Sequence, residues 1–267
     1  MRVVSMNLNG LRSAADKGFL AWLAEQEPDL VCVQEIRIQE HQLTPALRRP
    51  AGLHASWAFA DRPGYSGVGI WSRRPPDRVR TGFGWEPGDR EGRFLQADFG
   101  RLSVVSLYLP SGSAREDRQE FKYRFMRRFE SWLVRARRSR RHVLVCGDWN
   151  IAHRPIDLKN WRANQDRSGF LPEERAWLDR VFGPLGWIDV HRRLAPEATG
   201  EAYTWWSNRG RARANNTGWR IDYQVATPGL GRRARAVRVH RLPRFSDHGP
   251  LVIDYEGPVL AKAPAAG

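Results

Sequence analysis

Apolar residues fall in short runs along the chain, separated by polar turns. Eight runs predict strands: RVVSM (2–6), LVCVQ (30–34), VGIWS (68–72), FLQADF (94–99), LSVVSLYL (102–109), HVLVCG (142–147), RIDYQVA (220–226) and LVIDY (251–255). They are short, rich in Val and Ile, and bounded by Gly, Pro, Asn or Asp. Elsewhere the apolar spacing lengthens to a helical period. Residues 13–26 gather Phe19, Leu20, Trp22 and Leu23 on one side, and residues 118–138 space Phe121, Phe125, Phe129, Trp132 and Leu133 in the same way. Residues 172–182 open with Pro172 and two glutamates, which suits a helix start, and continue with Trp177, Leu178, Val181 and Phe182. Strands and helices mixed through both halves predict a layered α/β fold. Segments 72–93, 150–170 and 207–218 carry no period and predict long loops, and 257–267 predicts a frayed tail.

The polar residues at the strand ends change the picture from fold to chemistry. Asn7 and Asn9 follow VVSM, Gln34–Glu35 follows VCV, Tyr108 closes SVVSL, and Asp148 and Asn150 follow VLVCG. Asp222 lies within WRIDY, and Asp247–His248 precedes PLVIDY. Singly, each is an ordinary turn or surface residue. Together they form a coherent set for phosphodiester cleavage. That reaction needs carboxylates for a hard cation, a base for water, and donors for charge developing on phosphate. Mg2+ takes oxygen ligands and keeps several waters, so a few acids and amides suffice. An Asp beside a His can fix the imidazole tautomer and raise its pKa.

Charge points the same way. The 267 residues carry 44 Lys+Arg against 29 Asp+Glu, a net +15, and lysine occurs only at 17, 122, 159 and 262. So large a cationic surplus favours a polyanionic partner, nucleic acid above all. The loop SNRGRARANNTG is basic and lies between Trp205–Trp206 and Trp219, a combination suited to phosphates and bases, although a mobile surface loop would read alike. The run Arg135–Arg141 closes a predicted helix, where cations complement the dipole, and is assigned no site. Cys32 and Cys146 sit in apolar runs and read as buried thiols in a reducing compartment. Without an apolar leader or a membrane-length apolar run, the expectation is a soluble cytoplasmic protein.

The strings VVSMNLNGLRS (3–13), VQE (33–35), YLPSG (108–112), GDWNIAH (147–153), IDLKNW (156–161), GFLPEERAW (169–177), NNTGWRIDY (215–223) and SDHGP (246–250) occur in one order. Together they resemble the exonuclease III family of apurinic/apyrimidinic endonucleases, with the likeness running from residue 1 to about 256. IDLKNW and NNTGWRIDY are closer to the branch that includes the human-type AP endonuclease. The resemblance implies a four-layer αββα sandwich of two mixed sheets, in a single catalytic nuclease domain over 1–256. It implies Mg2+-dependent hydrolysis of double-stranded DNA 5′ to abasic sites, with Mn2+ able to substitute. Related activities are 3′-to-5′ exonuclease and removal of 3′ blocks, and the expected state is a monomer.

Carried onto this chain, the resemblance makes Glu35 and Asp247 metal ligands with Asn7 beside them. Asp148 becomes the base and Asn150 the residue orienting water or phosphate, and the resemblance counts both among the metal residues. His248, paired with Asp222, would contact the scissile phosphate and border the metal, and Tyr108 would donate to the phosphate or the leaving oxygen. Trp205, Trp219 and Ile221 match a pocket for a flipped-out abasic sugar, small enough to exclude a base. Asn160 and Asn164 would lie near DNA phosphates. Three departures bear on DNA engagement: Ser111 where the family has Asn or Gln, Arg167 where an amide is expected, and Arg209 where the human-type branch inserts an apolar wedge. Other stretches, such as GFGWEPGDREGRFLQADFG (82–100), resemble the catabolite-repression-control protein, a binding protein of this fold without nuclease residues. The intact Glu35, Asp148, Asn150, Asp247 and His248 favour the enzyme. A phosphatase for lipid or inositol phosphates fits the fold but not the basic 207–218 loop.

Overall fold

The computed structural model describes residues 1–113 and 116–257. In chain order the strands are β1 (Arg2–Asn7), β2 (Leu30–Gln34), β3 (His54–Ala58), β4 (Val68–Ser72), β5 (Arg78–Thr81), β6 (Phe94–Phe99), β7 (Leu102–Tyr108), β8 (His142–Asp148), β9 (Ile188–Asp189), β10 (Trp205–Trp206), β11 (Gly218–Trp219), β12 (Asp222–Ala226), β13 (Ala234–Val239) and β14 (Leu251–Tyr255). The helices are α1 (Leu11–Asp16), α2 (Phe19–Gln26), α3 (Pro45–Arg48), α4 (Glu86–Asp89), α5 (Glu116–Arg138), α6 (Pro172–Phe182), α7 (Val190–Leu194) and α8 (Pro228–Gly231). Two six-stranded sheets run in the orders β13-β14-β1-β2-β4-β3 and β5-β6-β7-β8-β12-β9, and β10-β11 forms a small ribbon. Each large sheet has one parallel pair, β1 with β2 and β7 with β8, among antiparallel ones.

Alternation of side chains along each strand divides the apolar residues into layers. Val3, Cys32, Ile70, Val104, Leu144, Cys146 and Ile253 point between the sheets and form the central core. Their strand neighbours Val4, Val31, Val33 and Trp71 face outward under Phe19, Trp22 and Leu23 of α2. On the other side Val105, Val143 and Val145 face Phe125, Phe129 and Leu133 of α5 and Trp177 and Leu178 of α6. The result is helix, sheet, sheet, helix: the four-layer αββα sandwich. Strands this fully apolar are buried on both faces, which is why they read as continuous runs. A few polar side chains pin the sheets together. Gln34 donates to Ser106 Oγ at 3.0 Å, and Gln224 donates to the Val3 carbonyl at 3.1 Å. Cys32 and Cys146 are free and buried, and burial followed by the Cys32 contact pushes the Cys146 thiol well up.

Several expectations need correcting. The helix expected over 13–26 is two helices, because Gly18 adopts a left-handed φ of 88° between them. The 72–93 segment contains the edge strand β5 and the short helix α4. Strands β3 and β13 escaped notice because both are edges, with largely half-exposed positions and no apolar run. The expected strand at 220–226 starts at Asp222, and the frayed-tail expectation for 258–267 lies outside the described residues. No helix among the described residues is long and apolar enough to cross a membrane.

Candidate active site

Sheet register assembles the centre of the site. Tyr108 ends β7 opposite Asp148 at the end of β8, and Asp148 in turn pairs with Asp222 at the start of β12. Three reactive side chains therefore stand on adjacent strands at one level. Asn7 ends β1 of the facing sheet, and Glu35 follows β2, so the second sheet delivers its polar ends to the same edge. Gly147 makes this close approach possible. A Cβ there would lie 1.9 Å from the Leu107 carbonyl oxygen, so any larger residue would push β8 off β7. Trp149, the next residue but one, is buried against Phe129, Trp177 and Tyr223 and anchors the turn. Asn150 then takes a left-handed φ of 52°, which Asn tolerates better than most residues.

Hydrogen bonds fix the orientation of each group. Asn7 Nδ2 donates to Glu35 Oε2 at 3.0 Å and to Asp148 Oδ2 at 2.9 Å, while its oxygen accepts the Asn9 N–H at 2.9 Å. The Asn150 backbone N–H donates to Asp148 Oδ1 at 2.8 Å, and its amide donates to the Leu109 carbonyl at 2.8 Å. Asp247 accepts from Asn9 at 2.9 Å and from the Trp205 indole at 3.0 Å. His248 Nδ1 lies 2.8 Å from Asp222 Oδ2, and its Nε2 lies 3.8 Å from Asp148 Oδ2. Thr204 Oγ1 accepts both the Ile221 and Asp222 N–H groups and so holds the start of β12.

Burial sets the electrostatics. Burial, with Asp222 as a like charge, lifts the Asp148 carboxyl from 3.8 to about 7, against the pull of His248, Asn7 and the Asn150 N–H. Burial alone would lower His248, yet the Asp222 contact, with Asp148 and Asp247, raises it to about 10. Burial and the neighbouring Glu35 hold the Tyr108 phenol well above its ordinary range, against the Arg93 guanidinium over its ring at 4.7 Å. Burial raises Asp247, but His248 and its three hydrogen-bond donors outweigh this and leave it lowered. At neutral pH the site thus holds an imidazolium, a protonated phenol and, in Asp148, a buried carboxyl that keeps its proton well above the usual carboxylate range.

Asp148, Asp222 and His248 bring ligand atoms within 4.8 Å of one another, a cluster able to hold a metal ion. The Asp148 and Asp222 carboxylate oxygens fit a hard cation and no thiolate is among the donors, while His248 would have to give up its Nε2 proton to ligate one. The buried Asp222 Oδ1 has no hydrogen-bond partner, and Asp148 is crowded by a like charge, so the site has room for more positive charge.

The cleft above this cluster encloses about 630 Å3. Glu35, Tyr108, Asp148, Asn150, Asp247 and His248 line it on one side, with Trp205, Trp219 and Ile221 beside them. The Trp205 and Trp219 rings meet edge-on at 6.2 Å, and Ile221, Leu158 and Phe170 back them. Asn164, Ser111, Arg167 and Arg209 form the rim. Asn7 and Asp222 lie behind the wall, fully buried. Asn160 stands exposed outside it and accepts from Asn164 through its carbonyl at 2.7 Å. Sequence reasoning missed Arg37, which pairs with Glu35 in the cleft, and the roles of Asn9 and Thr204. Asn9 carried a signal in its Asn-Gly turn; the left-handed φ of 51° that turns Arg37 carried none.

Two facing mixed sheets with acids, amides and a histidine gathered at one end define a hydrolase of the nuclease and phosphatase class. The family model for the endonuclease/exonuclease/phosphatase family matches residues 4–248. An exodeoxyribonuclease of Bacillus subtilis is 35% identical over 252 residues, covering 94% of this chain and 98% of that protein. An AP endonuclease from Archaeoglobus fulgidus superimposes with a TM-score of 0.87 at 28% identity, covering 96% of this chain and all of that one. A 3′ phosphatase from Neisseria, solved with product DNA hairpin, gives 0.88 at 25% identity, again covering 96% and 100%. The chain belongs to the endonuclease/exonuclease/phosphatase family, and within it to the exodeoxyribonuclease and AP endonuclease enzymes.

Proposed function

We propose that this enzyme hydrolyses double-stranded DNA with Mg2+ on the 5′ side of abasic sites, and trims 3′ ends by exonuclease and phosphatase action. One observation carries the reading. The apolar pocket of Trp205, Trp219 and Ile221 shares a cleft with the buried base Asp148 and the imidazolium His248. A pocket walled by aromatic rings admits a deoxyribose that has lost its base and resists a full nucleotide. The names of its relatives, an exodeoxyribonuclease, an AP endonuclease and a 3′ phosphatase on DNA, support the same chemistry.

Glu35 and Asp247 would hold the Mg2+, with Asn7 bridging Glu35 to Asp148, with Asp148 and Asn150 beside it, and with the charged His248 bordering the site without ligating the ion. When bound, the ion supplies charge to the phosphate oxygens, and Mn2+ can replace it. Asp148 takes a proton from water held against Asn150, and the hydroxide attacks phosphorus in line with the 3′ oxygen. The bond to that oxygen breaks, leaving a 3′-hydroxyl on one fragment and a 5′-phosphate on the other. His248, charged and locked by Asp222, donates Nε2–H to a non-bridging oxygen. Tyr108, kept protonated, donates to the phosphate or the leaving oxygen. Asn164 and Arg209 on the rim, with Asn160 outside it, reach the DNA backbone. The free thiols suit a reducing cytoplasm, and a monomer suffices for one duplex. Assays on duplexes with an abasic site, a nicked 3′-phosphate or a recessed end test the reading; product that forms equally in EDTA would overturn it.

A further inference from the structure

The arginines that close α5 have an ordinary explanation at a helix C-terminus. That explanation does not reach the arginines that meet them from other elements. Arg78 and Arg80 stand two apart on β5, an edge strand exposed throughout. Arg101, in the turn between β6 and β7, donates to the Arg140 carbonyl at 3.1 Å, and its own carbonyl accepts the His142 N–H at 2.9 Å. Arg233 closes on the same point. Burial, Arg233 and Arg101 together hold the His142 imidazole below its ordinary range. Arg80 and Arg141 share Asp98 at 3.9 and 3.5 Å. Among the described residues, Arg78, Arg101, Arg135, Arg138 and Arg140 have no carboxylate partner, and all five are exposed.

Three arginines of the cluster ring a concavity. A cleft of about 580 Å3 lies between the sheet face and the end of α5, ringed by Arg80, Arg135 and Arg141 with Trp132 and Phe83 in its wall. Its floor carboxylate, Asp98, is already occupied by Ser103 at 2.6 Å and Gln96 at 2.8 Å. Strands β7 and β8, of seven residues each, begin at this end and finish at Tyr108 and Asp148. At about 3.3 Å per residue, the two clefts lie roughly 20 Å apart on opposite edges of the sandwich.

We propose that this opposite edge binds the phosphate backbone of a nucleic acid strand, separately from the catalytic cleft. Unpaired guanidiniums gathered from four elements repel one another, and a polyanion relieves that repulsion. Guanidinium forks match phosphate oxygens in pairs, and half-exposed Trp132, whose ring stacks on Phe129 at 5.4 Å, adds an apolar wall beside them. Such a surface holds a second stretch of nucleic acid while the cleft works on the first.

The test uses the full chain carrying Arg101→Ser, Arg135→Ser, Arg138→Ser and Arg140→Ser, against the parent and the four matching Arg→Lys changes. Each protein is first saturated with a short abasic duplex in EDTA, so that the catalytic cleft is filled. A labelled oligothymidylate or random duplex is then titrated in at several salt concentrations. The parent and the Lys variant bind this second probe. The Ser variant binds it at least tenfold more weakly, with a salt slope smaller by about 0.7 to 0.9 for each phosphate it no longer neutralises. The two probes show whether single or double strands are preferred. Absence of second binding to the parent, or equal binding by the Ser variant, overturns the proposal. Displacement by polyglutamate as readily as by unlabelled oligonucleotide overturns it too. Cleavage of the short duplex in Mg2+ stays within twofold in the Ser variant, so loss of the second site and failure of the catalytic reading are separable.

Discussion

His248 Nδ1 lies 2.8 Å from Asp222 Oδ2, and this contact leaves the imidazole charged in a fully buried place. The imidazole is lifted from 6.5 to about 10, with burial opposing the rise and Asp222 driving it. A raised folded-state pKa favours the charged ring. Its contribution to stability is complete below about pH 6.5 and is lost as pH rises through about 10. Asp222→Asn should return the ring to titration near its ordinary value, visible by NMR of the His248 ring protons in EDTA. A His248 signal that titrates below pH 7 in the parent would contradict the pairing.

Lys122 and Glu174 form an ion pair at 2.6 Å with both side chains fully buried. Lys122 also donates to the Asn150 carbonyl at 2.8 Å, and Glu174 accepts the Gly169 N–H at 2.7 Å and the Leu171 N–H at 3.1 Å. The pair therefore ties α5 and α6 to the turn that follows Asp148. Lys122→Met leaves Glu174 buried and uncompensated, which should cost about 3–5 kcal/mol in denaturant unfolding. Lys122→Met with Glu174→Gln should recover much of that loss. Simple addition of the two single effects would show that the residues do not act together.

Trp219 walls the proposed sugar pocket, meeting the Trp205 and Phe170 rings edge-on. Trp219→Ala should lower kcat/KM on abasic duplex by at least tenfold and change removal of normal 3′ nucleotides less. Equal loss on both substrates would mean that the pocket does not select the lesion.

Arg209 sits on the cleft rim, exposed, and its backbone N–H donates to Ser207 Oγ at 3.1 Å. Arg209→Ala should weaken binding to abasic duplex by several-fold and flatten its salt dependence, as expected when one fewer phosphate is neutralised. Unchanged affinity in fluorescence anisotropy would place the loop out of reach of DNA.

Much of the sandwich was legible because β1, β2, β4, β6, β7, β8 and β14 are buried on nearly every residue, so burial wrote itself as unbroken apolar runs. Edge strands such as β5, exposed at all four positions, left no such mark. Polar strand ends were equally visible, but their convergence depends on register: nothing local says that Tyr108, Asp148 and Asp222 stand at one level. Arg37 was out of reach for a related reason. Its approach to Glu35 depends on two left-handed residues two positions apart, Glu35 at 52° and Arg37 at 51°, a conformation that neither residue type favours.

Asp148, the proposed base, is 2% exposed and lifted to about 7, with Asn7, Asn150 and His248 around it. The most direct measurement is single-turnover cleavage of a duplex with one abasic site by the parent and by Asp148→Asn, with binding measured in parallel. Expected is an Mg2+-dependent cut on the 5′ side in the parent. In the variant, cleavage should be slower by about a thousandfold or more, with affinity within a few-fold. Cleavage by Asp148→Asn near the parent rate, with binding intact, would contradict the assignment of the base.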